Sequence, residues 1–239
     1  VAELQNTNYL HNHARMWFAS IWIFTLGLPW QAGARFFMQH LSDGDAASNT
    51  LGWRWVAGLQ TSGKHYLARA GNIDQFTNGR FELAQLNETA LPIAASKRYD
   101  IMPVDSVTEY KKKYNNCIVL ETDLYLICKD AYEAYETVFV IRPKTIDHSI
   151  KLAESVLDFK TRLVTEFCEN CANAELIDAD ACEAIVRKQR GCDFVYPHVG
   201  DNLDFLRRLG DRSGTVFHAL KRPQDVFCWQ FAKKGFFNF

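Results

Sequence analysis

Residues 42–55, SDGDAASNTLGWRW, crowd two carboxylates, an amide and two indoles into one short run. Asp43 and Asp45 flank a glycine, Asn49 follows, and Trp53 and Trp55 close the stretch. An Asp-x-Asp pair offers hard oxygen ligands to a divalent cation, but no third ligand stands nearby, so no metal site is assigned. The triplet His-Asn-His at 11–13 enters an apolar helical pattern. It reads as capping and surface polarity rather than as a metal nuclease motif.

A better reading joins this run to the segment before it. Asn12, Arg15 and Met16 sit on a largely apolar helix. A guanidinium there demands an acidic partner, because an unpaired buried charge is costly. Asp43 or Asp45 can supply it, and breaking such a buried pair by Arg15→Ala is expected to cost about 3–5 kcal/mol. With Trp30 added, these residues outline a dry aromatic pocket holding one ion pair and one amide. That chemistry suits a flat, redox-active ring, and neighbouring indoles can pass electrons. The plainer alternative, a packed core around one buried salt bridge, fits the same residues and stays open at this point.

The elements that must position these groups follow from periodicity. Residues 9–28 read as a helix with apolar residues on most faces, which implies deep burial. Gly27 and Pro29 end it. Residues 31–41 read as a second helix, with Ala34, Phe37, Met38 and Leu41 on one stripe. Asp43-Gly44-Asp45 is a turn, and 45–58 a short helix with a bend, since Gly52 and Gly58 weaken a longer assignment. Loops and short helices are expected over 63–92. Beyond the charged segment 105–116, short β-branched runs at 117–120, 137–141, 194–196 and 215–219, with 174–178 as a further strand, alternate with helical patterns. Those helices are expected over 147–170, 180–190, 201–209 and 224–233. Strands alternating with helices argue a parallel sheet covered on both faces.

The totals exclude several classes. A chain of 239 residues that is 48% hydrophobic builds a proper core and is not disordered. A net charge of −1 gives no global basic field for nucleic acid. The longest apolar run, 16–30, is shorter than the roughly 20 residues a membrane helix needs. Seven scattered cysteines, none before position 117, are no disulfide framework and point to a reducing, cytoplasmic setting. The lysine triplet at 111–113 reads as a solvated face. Cys168-x-x-Cys171 lacks a second pair at metal spacing and reads as two thiols. In YPHVGDN, 196–202, a strand gives way to a helix, where open α/β sheets place ligands. His198 and Gly200 are the residues to watch there, though an idle loop histidine is the commoner case.

The stretch HNHARMWFASIWIFTLGLPWQAGARFFMQHLSDGDAASNTLGWRWVAG, residues 11–58, resembles the flavin-binding helical domain of the cryptochrome/photolyase family. The family's Asn-x-x-Arg-Met-x-x-Ala-Ser stands at Asn12 to Ser20. Its Asp-Gly-Asp and downstream Asn stand at Asp43, Asp45 and Asn49, and its Trp-x-Trp at Trp53 and Trp55. One departure is Asn49-Thr50-Leu51-Gly52, where the family commonly has Asn-Asn-Gly-Gly.

The resemblance implies FAD as cofactor, with Arg15 and Asp43 paired beside the isoalloxazine and Asp45 at its pyrimidine edge. Asn49 would face flavin N5. Trp53 and Trp30 would start an electron relay, and Asn12, Met16 and Trp55 would face the cavity for a flipped-out pyrimidine dimer. The activity implied is light-driven repair of pyrimidine dimers in DNA. Arg54, Lys64, His65 and Arg69 would form a basic rim.

The resemblance covers about residues 8–82. The family's phosphate-binding loop, its third relay tryptophan and its antenna domain fall outside that span. Val1 and the apolar ending KKGFFNF therefore suggest a fragment of a longer parent, holding part of an FAD site and self-associating through exposed flavin-domain surface. Residues 117–239 look like the α/β region that follows the flavin domain in bacterial photolyase-like proteins.

The expected architecture is α plus α/β: the N-terminal helical part of a photolyase-type FAD-binding domain, then a Rossmann-like three-layer α/β domain. The expected boundaries are 1–95, a linker over 96–116, and 117–239. Two alternatives share these residues: a cryptochrome-like flavin photoreceptor without repair activity, and a non-catalytic α/β binding module carrying a flavin-domain remnant.

Overall fold

The computed structural model describes residues 1–61, 63–81, 85–94, 111–124 and 130–231. The apolar ending at 233–239, residues 105–110 of the charged segment and most of the expected linker lie outside the described residues. The chain divides into two compact units, Val1–Asp100 with Ile150–Val156, and Ile101–Ser149 with Leu157–Phe239.

The first unit is helical: α1 Ala2–Thr7, α2 Asn12–Ser20, α3 Trp30–His40, α4 Ala46–Ala57 and α5 Ala70–Thr77. The single helix expected over 9–28 is not what forms. α2 stops at Ser20 and continues as a π-helical turn, Ile21–Thr25, in which Leu26 N–H bonds Ile21 O at 2.9 Å. Burial is also shallower than expected. Ala19, Ser20 and Ile23 are buried, whereas Leu26 and Leu28 are exposed. Apolar residues on every face therefore overstated the core here.

The stripe on α3 behaves as its period requires: Ala34, Phe37 and Leu41 are buried together with Trp53, Val56 and Ala57 of α4. α4 runs without interruption from Ala46 to Ala57. Gly52 faces open space and causes no break, while Gly58 ends the helix in the left-handed region at φ 82°. α5 is fastened to α2 by Trp17 Nε1–H to Asn72 Oδ1 at 3.1 Å, and the segment before α5 by Ala68 N–H to the buried Ser20 Oγ at 2.8 Å.

The second unit carries five parallel strands: β1 Asn116–Val119, β2 Thr137–Ile141, β3 Ala174–Ile177, β4 Gly191–Val195 and β5 Val216–Leu220. Their order is β3-β2-β1-β4-β5, so the chain reverses its direction of travel across the sheet at β1. The helices are α6 Asp130–Glu133, α7 Glu154–Asn170, α8 Ala179–Val186, α9 Asp201–Ser213 and α10 Pro223–Trp229.

Alternation along β1 sorts two cores. Ile118 and Leu120 pack with Val186 of α8 and Leu206 of α9. Cys117 and Val119 pack with Tyr132 of α6 and Val164 of α7. Both faces are thus covered, as parallel strands require. The helix expected from 147 begins only at Glu154. A 3-10 turn at Pro143–Thr145 precedes it, and His148 and Ser149 spend their side chains on Asp201.

Candidate active site

Three helices and one turn build the site in the first unit. α4 starts where Asp45 Oδ1 accepts from Ser48 N–H at 2.7 Å, an N-cap that fixes the entry of the chain from the Asp43–Asp45 turn. One helical turn on, Asn49 Nδ2 donates to Ala34 O at 2.8 Å and ties α4 to α3. Its amide carbonyl stays available as an acceptor. Trp53 lies another turn along, 2% exposed, with its ring laid on Gly33 of α3. A Cβ at position 33 would stand 2.2 Å from the Trp53 indole, so only glycine allows this approach.

Arg15 reaches across from α2. Its Nη2 contacts both Asp43 oxygens, at 3.0 and 2.8 Å, and its Nε donates to Leu10 O at 2.7 Å. Tyr9 packs under the guanidinium at 5.3 Å. Asp43 is therefore the partner the sequence required. The pair is not buried, however: the side chains are 25% and 52% exposed. Asp43 sits in an open turn, where solvent hydrates the carboxylate.

These groups surround one cavity of about 260 Å3. Asn12, Arg15, Met16, Asp43, Asp45, Asn49, Trp53 and Trp55 all line it. Of the expected site residues only Trp30 does not. It packs at the edge of the core with the Arg54 guanidinium 5.9 Å over its ring. None of Arg54, Lys64, His65 and Arg69 is among the described lining residues. His65 instead bonds Ala90 O at 2.7 Å.

Sequence reasoning missed Gly44, Ser48 and Gly52 on the cavity wall, small residues with no chemical signature. It also missed Trp22, whose ring meets Trp53 edge to face at 6.3 Å. The π-helical turn that places Trp22 leaves no periodic trace in the sequence, although such turns collect at functional sites.

The cavity suits a planar heteroaromatic group. Indole, phenyl and valine walls come from Trp53, Phe37 and Val56. An ion pair and an amide stand at one side. Trp53 Nε1–H is buried without an acceptor among the described residues, and a buried donor of this kind favours a ligand that can satisfy it. The volume falls short of the roughly 300–1,000 Å3 of pockets that enclose a drug-sized ligand. It matches a ring system rather than a whole dinucleotide.

The second unit offers less. His198 has φ 58° after β4, and its Nε2 accepts from Arg222 Nη2 at 3.0 Å, close to Asp225. Gly200 is the N-cap residue of α9. Glu121 and Lys160 form a pair at 2.8 Å, 3% and 12% exposed, at the carboxyl end of β1. Cys168 and Cys171 lie at the end of α7, and burial raises the Cys168 thiol. Among the described residues no cluster of three or more His, Cys, Asp or Glu is arranged to hold a metal ion. No helix of the described residues is long and apolar enough to cross a membrane.

Comparison with known proteins bears on the first unit. Residues 1–100 match the family model described as the FAD binding domain of DNA photolyase. A deoxyribodipyrimidine photo-lyase of Streptomyces griseus is 48% identical over 59 residues, 25% of this chain and 13% of that protein. The Escherichia coli protein of the same name is 41% identical over 64 residues, 27% of this chain and 14% of that one. Cryptochrome-1 of Arabidopsis thaliana is 31% identical over 80 residues, 34% of this chain and 11% of that protein. The matched region thus spans about an eighth of the length of the two photo-lyases. No solved structure matches the chain.

Proposed function

From the match of residues 1–100 to the FAD binding domain of DNA photolyase, we propose that this chain forms the isoalloxazine side of an FAD site in a light-driven DNA repair protein. The substrate is pyrimidine dimers, and the full-length parent carries the activity. The observation that supports this most is convergence. Residues from α2, the Asp43–Asp45 turn and α4, separated by up to 43 positions between Asn12 and Trp55, line one cavity.

FAD, when bound, supplies light absorption and a transferable electron. The chain's own residues do the rest. Asn12, Arg15, Asp43, Asp45 and Asn49 hold and orient the ring. The Arg15–Asp43 pair sets a fixed dipole at its edge, and the carbonyl of Asn49 tunes protonation there. Trp53 and Trp30 begin the relay of electrons to the surface. Met16 and Trp55 offer an apolar face to a flipped-out dimer, which must leave the stack to reach the cofactor. Trp55 is 40% exposed at the cavity and stacks on Tyr66 at 5.9 Å, a wall suited to bases. That wall favours repair over a photoreceptor without a DNA substrate.

The second unit is read as a Rossmann-like three-layer α/β domain. The proposed division is 1–95, a linker over 96–116, and 117–239. Its sheet order and the helices on both faces support this reading.

The experiment is an absorption spectrum of the purified chain before and after adding FAD and desalting. A structured flavin band that survives desalting in the native chain and is lost in Arg15→Ala/Asp43→Ala is the expected result. A native chain that retains no flavin at any added concentration overturns the cofactor assignment.

A further inference from the structure

Three rings beside the cavity lie one over another on the surface of the first unit. The His11 and His13 rings are parallel within 9°, with centroids 6.0 Å apart. The His13 and Phe76 rings are parallel within 15° at the same separation. All three residues are exposed, Phe76 to 64%. A single exposed phenylalanine needs no explanation. Parallel exposed rings in one stack are a different kind of surface, because flat π faces left to water accept further flat rings.

The helices beneath hold the stack in place. Trp17 stands one turn along α2 from His13, and Asn72 stands one turn along α5 before Phe76. Trp17 Nε1–H donates to Asn72 Oδ1 at 3.1 Å and sets α5 beside α2. Residues four apart share a helix face, so His13 and Phe76 meet one turn away from that bond. His13 also leans on the Trp17 ring at 6.1 Å. At the other end, His11 Nδ1 accepts from His13 N–H at 3.3 Å, which orients the first ring.

The stack adjoins the cavity. Asn12, between the two histidines, is one of the cavity-lining residues. The rings therefore begin one residue, about 3.8 Å along the backbone, from the cavity wall. A base drawn into that cavity leaves its strand neighbour at the mouth, since the sugar-phosphate backbone joins them. The neighbour has lost a stacking partner and presents a bare π face. Aromatic side chains take up such bases with little regard to sequence.

Resting on the photolyase-type reading above, we infer that His11, His13 and Phe76 form a stacking platform for the nucleotide adjoining the flipped-out dimer. The platform replaces the stacking this nucleotide loses when the dimer leaves the strand. It offsets part of the cost of flipping and fixes the strand relative to the cavity. Any base can occupy it, because every base has a π face.

The test measures binding in the dark by fluorescence anisotropy. It uses the full chain and a labelled single-stranded oligonucleotide carrying one thymine dimer. Two further probes replace the nucleotide 5′ or 3′ of the dimer by an abasic residue. On one side the abasic probe is expected to bind the native chain about tenfold more weakly, the size of one lost base stack. Phe76→Ala should weaken the intact probe by the same factor and remove the response to the abasic residue. His13→Ala should behave alike, and Phe76→Trp should keep both the affinity and the response. Far-ultraviolet circular dichroism checks that these exposed-site variants stay folded.

Native affinity in both alanine variants, or an abasic penalty equal in native and variant chains, overturns the platform. An undamaged oligonucleotide separates this from the reading it rests on. Equal binding of damaged and undamaged probes, with an abasic response that Phe76→Ala abolishes, refutes the dimer reading alone. A clear preference for the dimer with no abasic response on either side refutes the platform alone.

Discussion

At the scale of single residues, the ion pair and the cap carry the clearest consequences. Arg15 and Asp43 are linked through one guanidinium nitrogen and half exposed. Exposed pairs contribute about 0.2–1 kcal/mol, so Arg15→Ala is expected to cost about 1 kcal/mol in urea denaturation, not the larger amount a buried pair implies. A loss above about 3 kcal/mol would restore the buried-pair view. Asp45→Ala removes the N-cap of α4 and should cost about 1 kcal/mol as well. Asp45→Asn keeps an accepting oxygen and should recover most of it. Equal losses from both substitutions would show that the carboxylate charge, not the cap, is what counts.

At the scale of elements, one close fit decides which neighbours can pack. Gly33 lets α3 lie against the Trp53 ring of α4. Gly33→Ala should force the indole aside, destabilise by about 1–3 kcal/mol, and change the near-ultraviolet circular dichroism of the Trp22–Trp53 pair. An unchanged spectrum would mean the ring has room to spare.

In the sheet, the fully buried Asp193 of β4 gathers four partners. Its Oδ2 accepts from Lys113 N–H, Tyr114 N–H and Tyr135 O–H at 2.9, 3.3 and 2.9 Å, and its Oδ1 meets His218 Nδ1 at 3.0 Å. It thus pins the residues before β1 to β4 and β5. Asp193→Ala strands three donors and leaves the His218 ring without its partner, so a loss of about 3 kcal/mol is expected. Asp193→Asn should lose less.

At the scale of the whole molecule, the cysteines report on the second unit. Burial pushes the Cys182 thiol from 9.0 up to about 12, with Glu183 adding to it, and burial also raises Cys117 and Cys192. A folded-state value above the unfolded one stabilises fully below pH 9.0 and is lost as pH climbs towards 12. The urea midpoint should therefore fall above pH 9.0. Iodoacetamide should label Cys228 while sparing Cys117, Cys182 and Cys192 until the chain unfolds. Rapid labelling of all four in the native protein would contradict the burial.

The sequence by itself determined the helical and strand segments wherever period and composition agree. The α3 stripe and the runs of β1 and β2 are legible because burial on one face or both leaves a repeating apolar pattern, whereas β4 begins three residues before the expected run and β3 holds no buried residue. It also pointed to eight residues that line the cavity, because a charge in an apolar helix demands a partner, while Trp30 falls outside it. Exact spacing over residues 11–58 carried the resemblance to the cryptochrome/photolyase family, and no tertiary information was needed for that.

Only the tertiary structure decided the rest. Whether Arg15 and Asp43 are dry depends on how far the turn at 43–45 stands from the core. Which indole touches Trp53 depends on a π-helical turn that rotates Trp22 inward and on a glycine that admits the ring. Solvent access, helix winding and close approach are properties of segments brought together from distant positions. One-dimensional spacing holds no record of them.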